Sequence, residues 1–370
     1  MSVIAVGLIA AILFYFQQLI YRNLWNAGVI VNLKFKDETV RAGEQTTLIE
    51  VLENHKWLPL PALKVKFQCA GELKFLSDHS SQVTDMYYRN DLFSLMPFKR
   101  ITRKHQITCL KRGYYGIHGI DLVSADLFLT REFVESRSGE TWLHVIPAHF
   151  HVPEIFTALK ELSGEVACNR HLMTDPFAFR GIREYTGSDE MKTVNWKNSA
   201  KSDDLKVNVY DFTTLNTISI FVNLKYRELS GADKQLEKAL GITAYLAEMF
   251  LSNGNSISLY SNGRDILNNN TLCMEEISDR GQLPQINKTL ARLDLGLSLD
   301  DFELFAELIS KKDNQMIVII SPDWLPEMQD FLLRVKENRN FMWLLPCRKG
   351  ADVKVSKELV SKTMIIPDRD

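Results

Sequence analysis

The densest run of chemistry-bearing side chains lies between Asp175 and Asp211, in the stretch DPFAFRGIREYTGSDEMKTVNWKNSAKSDDLKVNVYD. It gathers Arg180, Arg183, Glu184, Tyr185, Asp189, Lys192, Trp196, Ser199 and Lys201 around Gly181. Two roles suit this mixture. Arg183 or Arg180 held by Glu184 or Asp189, with Trp196 filling a junction between modules, would form an internal clasp, because paired guanidinium and carboxylate groups fix orientation. The same residue types would also form a docking surface, since Arg and Trp concentrate in interface hot spots. Catalysis finds less support. Ser199 and Ser202 have no histidine near them in the sequence to act as base. His149 and His151 would place two imidazoles on one face of an extended chain, but zinc wants a third ligand and none is evident. Neither Gly-x-x-x-x-Gly-Lys-Ser/Thr nor Gly-x-Gly-x-x-Gly occurs, so no phosphate cradle is expected.

Composition narrows the field further. The 370 residues suffice for two domains, each with its own core. Basic residues number 44 and acidic ones 46, a balance that argues against a broad nucleic-acid-binding surface. The five cysteines are scattered without Cys-x-x-Cys spacing, which reads as reduced thiols rather than a disulfide framework.

The elements that would position these groups follow from hydrophobic pattern. Ser2 to Tyr21 carries no charge and, as a helix, would span roughly 30 Å, the depth of a bilayer core. Tyr15, Tyr21 and Trp25 suit a water–lipid boundary. A cleavable signal would want a basic leader and a small-x-small site, and the sequence after Gln17 offers neither. Residues 1–22 are therefore expected to be a single-pass anchor. Arg22, Lys34, Lys36 and Arg41 after it place the soluble region in the cytoplasm by the positive-inside tendency.

Residues 23–150 alternate with period two, as in Val29, Val31, Leu33, Phe35 and in Leu63, Val65, Phe67, and predict a β-sandwich-like module. Glu53–His55 and Leu60-Pro61 read as loops, and Trp142–Ile146 as a last strand. Residues 151–213 form a connecting segment, with helices expected over Ile155–Leu162 and Ser188–Lys201. From 214 to 370, strands at Thr217–Leu224, Ser256–Tyr260, Gln315–Ile320 and Phe341–Leu345 alternate with helical patterns. That order predicts an α/β, Rossmann-type module with a largely parallel sheet.

The central segment resembles the bacterial family called domain of unknown function 58, in which Gly-x-Arg-Glu-Tyr precedes an acidic turn, a Trp and a Ser-Ala pair. The matching positions are Gly181, Arg183, Glu184, Tyr185, Gly187, Asp189, Lys192, Trp196, Ser199, Ala200 and Lys201. Arg112-Gly113-Tyr114 and Asp126-Leu127-Phe128 match upstream marks, while Lys192, Asn195 and Leu127 depart from the commoner residues. The resemblance implies a von Willebrand factor A-like C-terminal module. Such modules commonly hold a divalent ion through Asp-x-Ser-x-Ser, yet here Asn223, Lys225 and Arg227 occupy those places, with Asp323 a remaining carboxylate. No metal or other cofactor is expected. The resemblance also implies pairing with a MoxR-type AAA+ ATPase, hence a membrane-anchored protein-binding adaptor. The alternatives are a structural envelope component or an envelope enzyme using residues 175–211.

Overall fold

The computed structural model describes residues 2–76, 81–83, 86–148, 150, 155, 179–186, 191, 194–201, 204–210, 217–226, 232–295, 301–312 and 315–368. The chain divides into two compact units, Met1–His149 with Pro284–Asp294, and Phe150–Leu283 with Leu295–Asp370.

Unit one begins with helix α1 (Ser2–Leu24), which is long and apolar enough to cross a membrane. Its side chains are exposed from Ile4 to Phe16. From Gln17 onward the helix docks on the β-strands instead. Tyr21 is 2% exposed and Trp25 5%, both within the strand core rather than at a lipid boundary as expected. An amphipathic aromatic serves either setting. Here the Tyr21 hydroxyl finds the Pro59 carbonyl at 2.8 Å, and Trp25 stacks on Phe133 with ring centroids 6.2 Å apart. Lys56 donates to the carbonyls of Trp25 and Ala27 at 2.8 and 2.7 Å, satisfying acceptors where the helix ends. Burial, aided by the charge of Arg137, pushes the Lys56 pKa down to about 8.

The strands of this unit are β1 (Val29–Phe35), β2 (Thr39–Arg41), β3 (Gln45–Asn54), β4 (Leu60–Ala70), β5 (Leu73–Phe75), β6 (Ser81–Val83), β7 (Met86–Leu95), β8 (Arg100–Cys109), β9 (Gly113–Ala125) and β10 (Glu132–Ile146). They form one sheet in the order β1-β3-β8-β5 and another in the order β2-β10-β9-β4-β7-β6. Leu48 and Leu52 from the first share a core with Leu63, Val65, Phe67, Ile120 and Leu122 from the second. Burying each such side chain contributes about 1.5–3 kcal/mol, and this fixes which parity of each strand faces inward. Leu60-Pro61 was expected in a loop but opens β4. A register shift between Leu60 and Leu63 opposite β7 accommodates the missing amide. Arg112, buried, donates to the carbonyls of Leu290, Ala291 and Leu293 at 2.9, 3.0 and 2.7 Å. It thereby caps the carboxyl end of the helix Leu283–Arg292.

Unit two opens with a hairpin of β11 (Phe179–Glu184) and β12 (Lys206–Tyr210). Its main sheet contains β13 (Thr217–Val222), β14 (Ser256–Asp265) and β15 (Thr271–Ile277). After β16 (Leu293–Asp294), which falls in unit one, come β17 (Met316–Ile320), β18 (Phe341–Cys347) and β19 (Thr363–Pro367). The order is β15-β14-β13-β17-β18-β19, with β15 antiparallel to β14 and the other pairs parallel. Every residue of β17 and β18 is buried, as parallel strands covered on both faces require. Phe305, Met328, Phe331 and Leu332, on the helices Leu304–Ser310 and Pro326–Asn338, share a core with Ile317, Ile319, Phe341 and Trp343 of the sheet. The helix Ala232–Ser252 ends as the Asn253-Gly254 signal predicts, with Gly254 at φ +77°.

Two sequence expectations change here. Within the helix expected over Ser188–Lys201, the described residues from Val194 onward form one helical turn, Trp196–Ser199, because Val194 pairs with Val207 as a β-bridge and Asn195 supplies the cap. Strand β19 was not anticipated, and most of its side chains are at least partly exposed. The helix expected over Ile155–Leu162 lies outside the described residues save for Ile155.

Candidate functional site

A sheet that runs from β13 to β14 on one side and then to β17 on the other has a switch point between β13 and β17, where such folds bind ligands at the strands' carboxyl ends. Asn223 stands there, fully buried. Its Oδ1 accepts from the Lys225 amide at 3.0 Å and from Asn262 Nδ2 at 2.8 Å. Its Nδ2 donates to Ser321 Oγ at 3.0 Å and to the Lys225 carbonyl at 3.3 Å. Asn262 in turn accepts from the Leu224 amide at 2.8 Å. Both ends of the Asn223 amide are thus engaged, which a carboxylate could not do because it has no donor. Asp323, also buried, accepts from the Leu325 amide at 3.0 Å where the helix Pro326–Asn338 begins. Lys225 reaches Asp301 at 3.3 Å. Asn223 therefore sits in a neutral polar lock with Asn262 and Ser321, with Asp323 on the Leu325 amide and the Lys225–Asp301 pair beside it. Rings of Tyr226 and Trp324, 6.0 Å apart, stand nearby, next to Leu325 at 38% exposure. Arg227 lies outside the described residues.

The hairpin carries the central motif. Ser199 Oγ donates to the Asn195 carbonyl at 2.9 Å and accepts from the Lys206 amide at 2.8 Å, tying the helical turn to β12. Asn195 Nδ2 adds a 2.6 Å bond to Asn208. The Ser199 hydroxyl holds the fold together here rather than being presented as a nucleophile. Arg183 donates to the Glu184 backbone carbonyl at 3.0 Å. Arg183, Glu184 and Lys201 are exposed, and Tyr185 half-buried. Trp196 is 61% exposed. Ile182, Met191 and Leu205 on the same hairpin and its loop are also exposed, at 39%, 57% and 41%. Gly181 has nothing within 4 Å of where a Cβ would stand. Arg180 lies on β11 by its backbone, while Asp189, Lys192, His149, His151 and Ser202 fall outside the described residues.

A third cluster was not foreseen. In the core of unit one, Glu50 of β3 meets His105 of β8 at 2.9 Å. Asp91 of β7, on the other sheet, accepts from Arg89 at 3.0 and 3.1 Å and from Arg103 at 2.9 Å. His105 lies 3.8 Å from Asp91. Glu50, Arg89, Asp91 and His105 are all buried. Burial by itself would raise the Asp91 carboxyl, but the Arg89 hydrogen bonds and the charges of Arg89, His105 and Arg103 outweigh it and hold the group below the usual carboxylate range. Glu50, Asp91 and His105 have ligand atoms within 4.8 Å of one another, the one such grouping among the described residues. Two guanidinium groups already take both Asp91 oxygens, so a further cation would be repelled. The cluster is an ion-pair network joining the two sheets. Its sequence signal was legible: Glu50 shares the inward parity of Leu48 and Leu52, and Asp91 that of Phe93 and Leu95.

No family model matches the chain, and no curated protein does. Among solved structures, trypsin-activated alpha-2-macroglobulin from Escherichia coli aligns at 22% identity over 33% of this chain, with a TM-score of 0.25. The chain spans 8% of that protein. The CARDB domain of a Pyrococcus furiosus protein, solved with two metal ions, aligns at 18% identity over 32% of this chain and 93% of its own, with a TM-score of 0.22. A non-cellulosomal cohesin from Archaeoglobus fulgidus aligns at 7% identity over 31% of this chain and 91% of its own, again at 0.22. These partial likenesses carry no activity across to this chain.

Proposed function

We propose that this chain is a membrane-tethered adaptor of the domain of unknown function 58 kind, which binds a protein partner rather than transforming a substrate. One observation carries the reading: Trp196 is 61% exposed on a helical turn that the Ser199 hydroxyl ties to β12, with Ile182, Met191 and Leu205 exposed around the same motif. Exposed aromatic and apolar side chains on a stiff support suit a protein interface, because little entropy is lost on docking. Unit two, with its β13–β17 switch point sealed by Asn223, acts in this reading as a von Willebrand factor A-like module that has exchanged its ion for a protein-binding edge. The partner is a MoxR-type AAA+ ATPase. Helix α1 is the anchor, and the packing of Tyr21 and Trp25 into unit one supports its retention over cleavage as a leader. Arg22, Lys34, Lys36 and Arg41 support a cytoplasmic soluble region.

The test is affinity purification of the full-length protein in mild detergent, beside Trp196→Ala, with mass spectrometry of co-purifying proteins. An AAA+ ATPase recovered with the native chain and depleted with the variant is the expected result. If neither chain brings down a stable partner, the adaptor reading fails.

A further inference from the structure

Unit one places a set of exposed apolar side chains around the base of α1, at one end of its two sheets. Leu127, Phe128 and Leu129, between β9 and β10, are 50%, 59% and 63% exposed. Met96 and Phe98, between β7 and β8, are 51% and 71% exposed, and Trp57, between β3 and β4, is 60% exposed. The register puts these three loops together, since Leu60 faces Leu95 and Leu63 faces Ser124. Hydrogen bonds join them to each other and to the helix. Asn54 Nδ2 donates to the carbonyls of Leu58 and Met96 at 2.9 and 3.2 Å. Tyr21 donates to Pro59, Gln17 donates to Asp126 at 3.0 Å, and Gln18 donates to Thr130 at 3.3 Å. Phe128 meets Phe14 with ring centroids 5.7 Å apart.

Helix length turns this arrangement into an argument about lipid. The part of α1 free of the strands, Ser2 to Phe16, rises roughly 22 Å at 1.5 Å per residue, short of a hydrocarbon core of about 30 Å. To span, the bilayer must also cover the turns around Gln17 and Tyr21. The Phe128 loop already reaches Phe14, about 10 Å nearer the helix start than Tyr21, so it would be immersed with them. Backbone conformation gives a second observation. Phe98 and Leu129 adopt positive φ, +54° and +59°, where Gly or Asn would be favoured, yet both are bulky, apolar and exposed. Lys99 and Arg131, both exposed, adjoin the two loops and suit the headgroup layer.

We infer that the loops bearing Trp57, Met96, Phe98 and Leu127–Leu129 form a collar that inserts into the leaflet around α1 and seats unit one directly on the membrane. The inference rests on α1 being an anchor, and its test separates the two. The full-length chain carrying Cys168→Ser and Cys273→Ser keeps Cys69, Cys109 and Cys347, which are buried. Single cysteines replace Ile9, Phe128, Phe98 or Met86, the last being exposed at the opposite end of β7, and each takes an environment-sensitive NBD label. The labelled proteins are reconstituted into phosphatidylcholine–phosphatidylglycerol vesicles containing doxyl-labelled lipid. The expected result is loss of emission at positions 128 and 98 comparable to that at position 9, with little loss at 86. Quenching at 9 alone, with 128 and 98 behaving like 86, overturns the collar and leaves the anchor standing. No quenching at 9 overturns both. Labels on two separate loops guard against one variant misfolding, and each variant is checked for native circular dichroism and melting.

Discussion

Each unit buries a polar cluster among apolar strands, and the two clusters solve the same problem with opposite chemistry. In unit one the groups are ionic: Asp91 sits between Arg89 and Arg103, and Glu50 meets His105. In unit two they are neutral: Asn223, Asn262 and Ser321 exchange amide and hydroxyl hydrogen bonds. An ionic cluster removed from water holds together only while every charge keeps its partner, whereas an amide network fails one bond at a time. The first should therefore break abruptly and the second by degrees.

The largest effect expected is from Asp91→Ala. It leaves Arg89, 2% exposed, without its carboxylate in the sandwich core, and should cost unit one about 3–5 kcal/mol in urea unfolding. A loss below about 1 kcal/mol would mean that the network is hydrated and the contrast with unit two is false. Next comes Asn223→Asp. It removes the donor to Ser321 and leaves a buried charge beside Asn262, for an expected loss of about 1–3 kcal/mol in unit two. Millimolar Mg²⁺ should not restore it. Recovery of melting temperature with Mg²⁺ would show that one substitution rebuilds an ion site, and that the polar lock is a thin disguise over it.

Acid sharpens the comparison with a smaller effect. Because Asp91 is held below its unfolded value of 3.8, its contribution is present above that pH and is lost as pH falls through the depressed folded value. Unit one should lose stability below about pH 4, and Asp91→Asn should flatten that part of the profile. Asn223 and Asn262 do not titrate, so their network should add no slope there. Urea unfolding from pH 7 to 2, followed by a probe in each unit, separates the two responses. Equal acid slopes from Asp91 and Asp91→Asn chains would remove this carboxylate from the account.

How much of this could be read beforehand depends on whether local pattern or tertiary choice decides. Period two located the inward faces of β1 and β4, and continuous apolar runs located β13 and β17, because burial acts on each strand separately. The Asp91 cluster follows the same alternation, but a charge at an inward position reads equally as a break in the pattern. Tyr21 and Trp25 are ambiguous for a different reason. Their residue types fit a lipid interface and a protein core equally, and only the Pro59 carbonyl and the Phe133 ring decide between them. Strand β19 has an exposed and half-buried edge with a closing proline, so it offers no period to detect. For Asn223, the sequence identified the position, and the structure supplied the reason for the residue: an amide both donates and accepts where a carboxylate only accepts.

The smallest stability effect is expected where the motif is densest. Trp196 is 61% exposed, so Trp196→Ala should change the unfolding free energy of unit two by no more than about 0.5 kcal/mol. Ser199→Ala, by contrast, removes the hydroxyl that ties the helical turn to β12 and should lower stability by about 1 kcal/mol. The pair of variants splits the motif into what holds the hairpin and what the hairpin displays. If Trp196→Ala melts as early as Ser199→Ala, the tryptophan belongs to a clasp, and the display surface would have to be sought at the rim formed by Tyr226, Trp324 and Leu325. If it melts like the native chain and loses its partner, binding and folding are carried by different residues of one short segment.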